Sequence, residues 1–391
     1  MSTRPDPDPH GNLPLKTTRI VAGEKPRHKL RRLEIIACAA LVALIGAGAA
    51  VVSIQNSRSG HLDPAAQVPA TSQAATLKLG YFGNVTHAPA LVGLEKGLLA
   101  KSLGATALST QVFNAGPAAI EALNAGAIDA AYIGPNPAIN SYVKSHGESL
   151  RIIAGATFGG AQLVVKPSIT SAAQLRGKVL ASPQLGGTQD VALRSWLASQ
   201  GFTTTPDGGG DVTINPTDNA QTLKLFQDGK LDGAWLPEPW ASRLVLQAGG
   251  KVLVNEADLW DKGQFSTTVL IVNKNYLSAH PQTVKGLLEG NLASIQWLNK
   301  HPGEAAGVIN AGLATAAGKP LPTNVIDRSL SELTFSPDPL AATFPTLLAH
   351  GVSAGVTKQA DISGLFDLTP LNTALKAAGE KTVSAGGLGS E

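Results

Sequence analysis

The chain has 391 residues; 43% of them are hydrophobic, only 15% are charged, and the formal net charge is +3 at pH 7. This composition excludes a wholly disordered chain and leaves enough apolar material for two or three domains with sizeable cores. The only cysteine is Cys38, so an intramolecular disulfide and a thiol-ligated metal site are excluded.

The positive charge is concentrated near the N-terminus. Residues 1–34 contain eight Lys/Arg and four Asp/Glu, and the rest of the chain has 23 basic against 24 acidic residues. A body so close to neutrality lacks the basic surface that binds a phosphate backbone, so nucleic acid is not an expected partner. The eight histidines lack metal-site spacing and no cofactor fingerprint follows a strand, so we expect no metal and no cofactor.

Residues 35–54 form an almost wholly apolar run of bilayer-spanning length, directly after a basic cluster. We predict a basic cytoplasmic region at 1–34 and a signal or membrane-anchor helix at 35–54. The positive-inside rule then places the downstream chain outside the cytoplasm. Residues 47–49 (Ala-Gly-Ala) resemble a signal-peptidase site, but the length suits an uncleaved anchor equally well. Residues 55–76, rich in Ser, Pro, Gln and Ala, are a predicted flexible tether.

Strand-length apolar runs alternate with helix-length amphipathic stretches from Leu77 onward, the pattern of an α/β protein. In the second half this pattern predicts helices at 188–199 and 219–227. A Gly-x-x-Asp signature that leads into a Pro-rich loop occurs twice, at 126–137 and 229–239, and favours two similar lobes facing each other across a cleft. We predict lobe 1 at 77–165, lobe 2 at 166–267, and a return to lobe 1 with C-terminal helices at 268–391.

The connections between the lobes are predicted from two extended apolar segments. Residues 161–167 and 267–273 have no helix between them and the neighbouring lobe, and we interpret them as strands that cross the hinge. The tail after Lys381 is rich in Gly and Ser and is expected to fray.

Three loops after predicted strands place Gly, Asn or Thr at the start of a helix. Free backbone N–H groups and the positive end of the helix dipole make such positions anion sites, and ligands bind at this edge of an α/β sheet. Any one loop is equally explained by simple helix capping, but three loops on two facing lobes favour a ligand. The candidate residues are Asn114, Gly116, Asn136, Gly187, Thr188 and Gln189.

Three other side chains lie in similar loops. His87 falls between the first strand and the first helix, where a capping or packing role is the alternative. Glu238 lies between Pro237 and Pro239 and is the sole carboxylate in its loop; the alternative is a solvated loop charge. Trp240 can wall a pocket or pack into a core.

Three blocks carry a family resemblance: FNAGPAAIEALNAGAIDAAYIGPNPAI, ITSAAQLRGKVLASPQLGGTQDVALRSWL and DGAWLPEPW. In this order they resemble the nitrate/sulfonate/taurine family of ABC-transporter substrate-binding proteins. The resemblance implies a type II periplasmic-binding-protein fold, whose two lobes close on a small anionic or zwitterionic solute and deliver it to a membrane permease and its ATPase. It implies a monomer, and ligand contacts from the Thr86-His87 loop, Asn114 to Gly116, Asn136, the Gly187-Thr188 helix start and the Glu238 loop.

Two alternatives to an importer component remain open. Enzymes of the same fold that make a pyrimidine precursor depend on a cysteine-rich segment, which is absent here. A ligand-sensing surface protein is the other alternative. A surface protein that only contacts other proteins is disfavoured by the paired anion-site loops.

The solute cannot be named from the sequence, but Glu238 bears on it. Many sulfonate binders have Asp where this chain has Glu238. If the carboxylate points into the cleft, it repels a bare anion and favours a zwitterion such as taurine. If it faces solvent, it has no influence on the ligand.

Overall fold

The computed structural model describes residues 73–391, which fold around two sheets. The first sheet contains β1 (Thr76–Phe82), β2 (Ala107–Phe113), β3 (Ala130–Ile133), β4 (Leu150–Gly159), β10 (Ser266–Asn273), β11 (Leu333–Phe335), β12 (Phe366–Asp367) and β13 (Gly389–Ser390). The second sheet contains β5 (Ala161–Val165), β6 (Val179–Ser182), β7 (Thr213–Pro216), β8 (Gly233–Pro237) and β9 (Lys251–Asn255).

The helices cover the faces of the two sheets. Around the first sheet they are α1 (Ala88–Glu95), α2 (Leu98–Leu103), α3 (Gly116–Asn124), α4 (Pro135–Lys144), α8 (Lys274–Ala279), α9 (Pro281–Lys300), α10 (Pro302–Ala317), α11 (Thr323–Ser331), α12 (Phe344–Ser353) and α13 (Thr369–Ala377). The second lobe has α5 (Thr188–Ser199), α6 (Asn219–Gln227) and α7 (Trp240–Ala248). Gly97, at φ +65°, separates α1 from α2.

Side-chain alternation along the central strands of the second sheet explains its two core clusters. On β5, Leu163 packs on one side of the sheet and Val164 on the other; on β8, Trp235 and Ala234 divide in the same way. Successive side chains of a strand point to opposite faces of the sheet. The sequence of a strand buried on both faces is therefore an unbroken apolar run.

The strand directions determine where the loops gather. In the first sheet β1 runs parallel to β2 and β3, and in the second sheet β6 runs parallel to β7 and β8. The carboxyl ends of parallel strands lie at one edge of their sheet, so the loops after these six strands form the edges that face each other.

The chain crosses between the lobes at Gly159 and Gly160. Both have positive φ, at +82° and +72°, and a Cβ at Gly160 would lie 2.2 Å from the Leu333 side chain. The predicted lobe boundary at residue 165 is corrected, because β5 pairs with β8 and β9 of the second sheet. The later segment, β10, is a strand of the first sheet, antiparallel to β3 and β4.

The C-terminal tail is ordered, so the expectation that it frays was wrong. β13 pairs in parallel with β12, and Ala385 is fully buried in the core of the first lobe. Within residues 73–391, no helix has the length and apolar character needed to span a membrane. The predicted signal or anchor helix at 35–54 and most of the predicted tether lie outside the described residues.

Candidate functional site

A cavity of about 30 Å³ lies where the loops of the two lobes meet. A cavity needs about 10–15 Å³ by this measure to hold one water molecule, so this one accepts a small polar group. Seven of the ten residues predicted from the sequence line it: Thr86, His87, Asn114, Gly116, Gly187, Thr188 and Gln189.

Four helices begin at the cavity wall. They are α3, α4 and α5, whose first turns follow Ala115, Gly134 and Gly187, and α6, which begins at Asn219. None of these helix starts has a side-chain cap. Pro117, Pro135 and Pro137 have no backbone N–H. The other uncapped N–H groups and the positive ends of the helix dipoles create a region of positive potential without a charged side chain.

His87 supplies a neutral hydrogen-bond donor to the cavity. It is 2% exposed, and its Nδ1 accepts a hydrogen bond from the Phe82 amide at 3.3 Å. Burial lowers the pKa of His87 to about 3, so the ring is uncharged near neutral pH. Because Nδ1 is the acceptor, this hydrogen-bond pattern assigns the proton to Nε2.

Of residues 73–391, those that line the cavity include no Asp, Glu, Lys or Arg. Two of their buried polar atoms, Thr188 Oγ1 and Asn219 Oδ1, have no hydrogen-bond partner within the described residues. Buried polar atoms are nearly always paired, so these two are available for hydrogen bonds to a ligand. A neutral, donor-rich cavity of this kind can hold an oxyanion through hydrogen bonds and helix dipoles alone.

The side chain of Glu238 is turned away from the cavity and from solvent, which corrects both sequence-based readings of it. The residue is fully buried, and its carboxylate accepts hydrogen bonds from the Ser242 amide at 3.1 Å, Ser329 Oγ at 3.0 Å and Arg328 Nη1 at 3.0 Å. Burial raises its pKa, against the opposing effect of Ser242, Arg328 and Ser329. A ligand ammonium therefore has no carboxylate to meet at this position.

Two more predicted residues lie outside the cavity. Asn136 donates from Nδ2 to the Leu347 carbonyl at 3.0 Å, which ties α4 to α12. Trp240 donates from Nε1 to Asn84 Oδ1 at 2.8 Å. Asn84 itself lines the cavity, so Trp240 positions a lining residue that the sequence analysis did not select.

The lobes are in contact around the cavity. Asn114 Nδ2 donates to Asp218 Oδ2 across the cleft at 3.4 Å. An ideal Cβ at Gly134 of the first lobe would lie 2.3 Å from Thr188 Oγ1 of the second. The described conformation is therefore closed, with glycine allowing the closest approach.

A larger cavity of about 440 Å³ adjoins the first one. Asn84, Asn114 and Asn219 line both cavities, and Trp240 and Arg243 line the larger one. The Arg243 guanidinium lies 4.4 Å from the centre of the Trp240 ring. A solute longer than its head group therefore has room to extend past the three asparagines.

The sequence matches the model of the NMT1-like family over residues 70–311. A taurine-binding periplasmic protein of Escherichia coli (strain K12) is 25% identical over 245 residues, which are 62% of this chain and 72% of that protein. A nitrate/nitrite binding protein, NrtA of a Nostoc species, is 24% identical over 274 residues, 63% of this chain and 61% of the relative.

Solved structures also match. The alkanesulfonate-binding protein SsuA from Xanthomonas axonopodis pv. citri superposes with a TM-score of 0.62 at 21% identity, covering 74% of this chain and 96% of that one. The two-lobed periplasmic-binding-protein fold expected from the sequence is thereby confirmed, as is the family resemblance.

Proposed function

This chain belongs to the NMT1-like family, and from that premise we propose that it is the extracytoplasmic solute-binding component of an ABC importer, acting as a monomer. Its solute carries a small oxyanion head group of the sulfonate or nitrate class. The observation that carries the proposal is the closed cavity with four uncapped helix starts, a neutral His87 and two unpaired polar atoms. The relatives described above are named as binding proteins, which supports capture of a solute rather than its conversion.

The cavity favours anions through many modest interactions. Hydrogen bonds to a charged group contribute about 1.5–3 kcal/mol each, and the first turns of the helices add the field of their dipoles. Among the described residues that line the smaller cavity none is Lys or Arg, so the head group is held there without an ion pair. Selectivity then depends on the number and direction of the donors.

The position of Glu238 changes the expected order of ligands. Its carboxylate is already paired with Arg328 and does not line the cavity, so an ammonium on the solute gains no ion pair with Glu238. We therefore expect an unsubstituted alkanesulfonate to bind at least as tightly as taurine.

Titration calorimetry of the full-length chain with nitrate, taurine, methanesulfonate and butanesulfonate tests this function. Thr188→Val removes the unpaired hydroxyl at nearly constant volume and should weaken the best ligand by about tenfold or more. Thr213→Val is the matched control, because Thr213 is exposed on β7 and its replacement should leave affinity unchanged. Binding to none of the four ligands, or equal binding by wild type and Thr188→Val, would refute the proposed site.

We further propose that residues 35–54 carry the body across the cytoplasmic membrane or anchor it there. One relative is named a periplasmic protein, and the apolar run in this chain follows a basic cluster. Protease added to intact spheroplasts should digest or release residues 73–391. Full protection of the body would overturn this placement.

A further inference from the structure

A separate cavity of about 230 Å³ lies at the seam between the lobes, away from the solute cavity. Its wall includes Ser195 and Trp196 of α5, the short 3-10 helix Glu256–Leu259 with Trp260 after it, and His350 of α12. None of these residues lines the solute cavity. Because α5 belongs to the second lobe and α12 packs into the core of the first, a molecule here touches both lobes.

Glu256 is the unusual member of this wall. It is 2% exposed, and its Oε2 accepts a hydrogen bond from Trp235 Nε1 at 2.8 Å. Throughout residues 73–391, no Lys, Arg or His forms an ion pair with it. Burial raises its pKa to about 7, against the opposing hydrogen bonds from Trp235 and Trp260. A buried carboxylate without a cation is costly, so a cation held in this cavity would stabilise the ionised form of Glu256.

Aromatic rings line the same cavity as that carboxylate: Trp196, Trp260 and His350. Trp196 lies 6.0 Å from Trp235, and Trp260 lies 5.7 Å from His350, measured between ring centroids. Burial lowers the pKa of His350, so its ring is not a competing cation near neutral pH. Indole faces attract cations through their quadrupole, most strongly when the cation is desolvated.

We propose that this cavity binds a small organic cation of the methylated-ammonium class, whose charge faces Glu256 and whose methyl groups lie against Trp196 and Trp260. The acids Asp258 and Asp261 flank the cavity on the exposed surface and favour approach of a cation, whereas Lys262 opposes it. This proposal does not depend on the identity of the transported solute.

The position of the cavity along α5 gives the cation an effect on the solute. Thr188, which lines the solute cavity, begins the same helix that carries Trp196. At 1.5 Å per residue the two positions are about 12 Å apart along the helix axis. A cation held between α5 and α12 has different contacts in the open and closed forms, and so it shifts the equilibrium between them.

The test uses a charged probe and its neutral counterpart of the same shape. Choline and 3,3-dimethyl-1-butanol are titrated into the full-length chain while tryptophan fluorescence is followed, with sodium chloride at equal ionic strength as the reference. Choline is expected to bind at least tenfold more tightly than the alcohol. Equal binding of the two probes, or a choline signal no larger than that of sodium chloride, overturns the proposal.

Variants locate the site. Glu256→Gln keeps an acceptor for the Trp235 indole and should weaken choline at least tenfold. Glu304→Gln changes an exposed acid in the first turn of α10, away from the cavity, and should leave choline affinity unchanged. Trp196→Leu, at a half-buried position, should weaken choline several-fold and provides a second test if Glu256→Gln does not fold. Unchanged choline affinity in Glu256→Gln or in Trp196→Leu contradicts the site, and oxyanion binding by the same samples reports separately on the solute cavity.

Discussion

Replacing Arg328 by methionine is expected to lower the free energy of unfolding by about 3 kcal/mol, because it leaves the buried carboxylate of Glu238 without a cation. Arg328 Nη1 donates to Glu238 and also to Ser242 Oγ at 2.8 Å, and Nη2 donates to Gln162 Oε1 at 2.8 Å. The Glu238 side chain is 0% exposed, so bulk water does not solvate its charge. Methionine retains much of the apolar packing of the arginine stem.

The loss of unfolding free energy in Arg328→Met should increase with pH. Burial already raises the pKa of Glu238, and removal of Arg328 raises it further. Consider a group whose pKa is higher in the folded state than in the unfolded state. It contributes fully to stability at pH values below its unfolded-state pKa, and this contribution is lost as the pH rises through its folded-state pKa. Urea unfolding of Arg328→Met should therefore show a smaller loss near about pH 5 than near about pH 8.

Two further variants control this experiment. Lys285→Met removes an exposed ion pair to Glu289, 3.7 Å long, and should cost less than about 0.5 kcal/mol. Arg328→Met combined with Glu238→Gln should recover part of the stability, because no buried charge remains. Similar losses in Arg328→Met and Lys285→Met would show that Glu238 does not need the arginine.

The second large effect is expected from Gly134→Ala, which should weaken solute binding by about 30-fold. The new Cβ would lie 2.3 Å from Thr188 Oγ1 in the closed form, and overpacking of this kind typically costs about 1–3 kcal/mol. Gly134 has φ −71° and ψ 153°, which alanine adopts without strain. The substitution therefore acts on closure and leaves the folding of the first lobe intact.

Calorimetry and small-angle scattering distinguish closure from folding in this variant. The melting temperature without solute should stay close to that of the wild type, while compaction at a fixed solute concentration decreases. In a Thr188→Ala background the hydroxyl is gone, so Gly134→Ala should cost less affinity than it does alone. An equal cost in both backgrounds would mean that these two residues do not meet on closure.

The backbone of the site followed from the sequence because its signals are local. Strand, glycine-rich loop and helix start lie within a few residues of each other, and α5 and α6 have the predicted bounds. The loops then come together because parallel strands direct their carboxyl ends to one edge. Seven predicted residues line one cavity for this reason.

The side-chain directions of Glu238 and Trp240 could not be predicted from local sequence signals. The arginine that pairs with Glu238 is 90 residues away, and the asparagine that accepts from Trp240 is 156 residues away. Nothing within their own loop indicates either partner. Asn219 was missed for a different reason: it was counted only as the first residue of a predicted helix, although that helix also starts at the cavity.

The pairing of Glu238 with Arg328 has a consequence for how relatives of this protein should be compared. The family match ends at residue 311, whereas Arg328 and Ser329, which hold the carboxylate, lie on α11 beyond it. Another chain can thus keep every motif by which the family is recognised and still lack the partners of this glutamate. An acidic residue before the proline-aromatic pair therefore has no fixed meaning across the family, and ligand specificity should be transferred between members only after their C-terminal helices have been aligned as well.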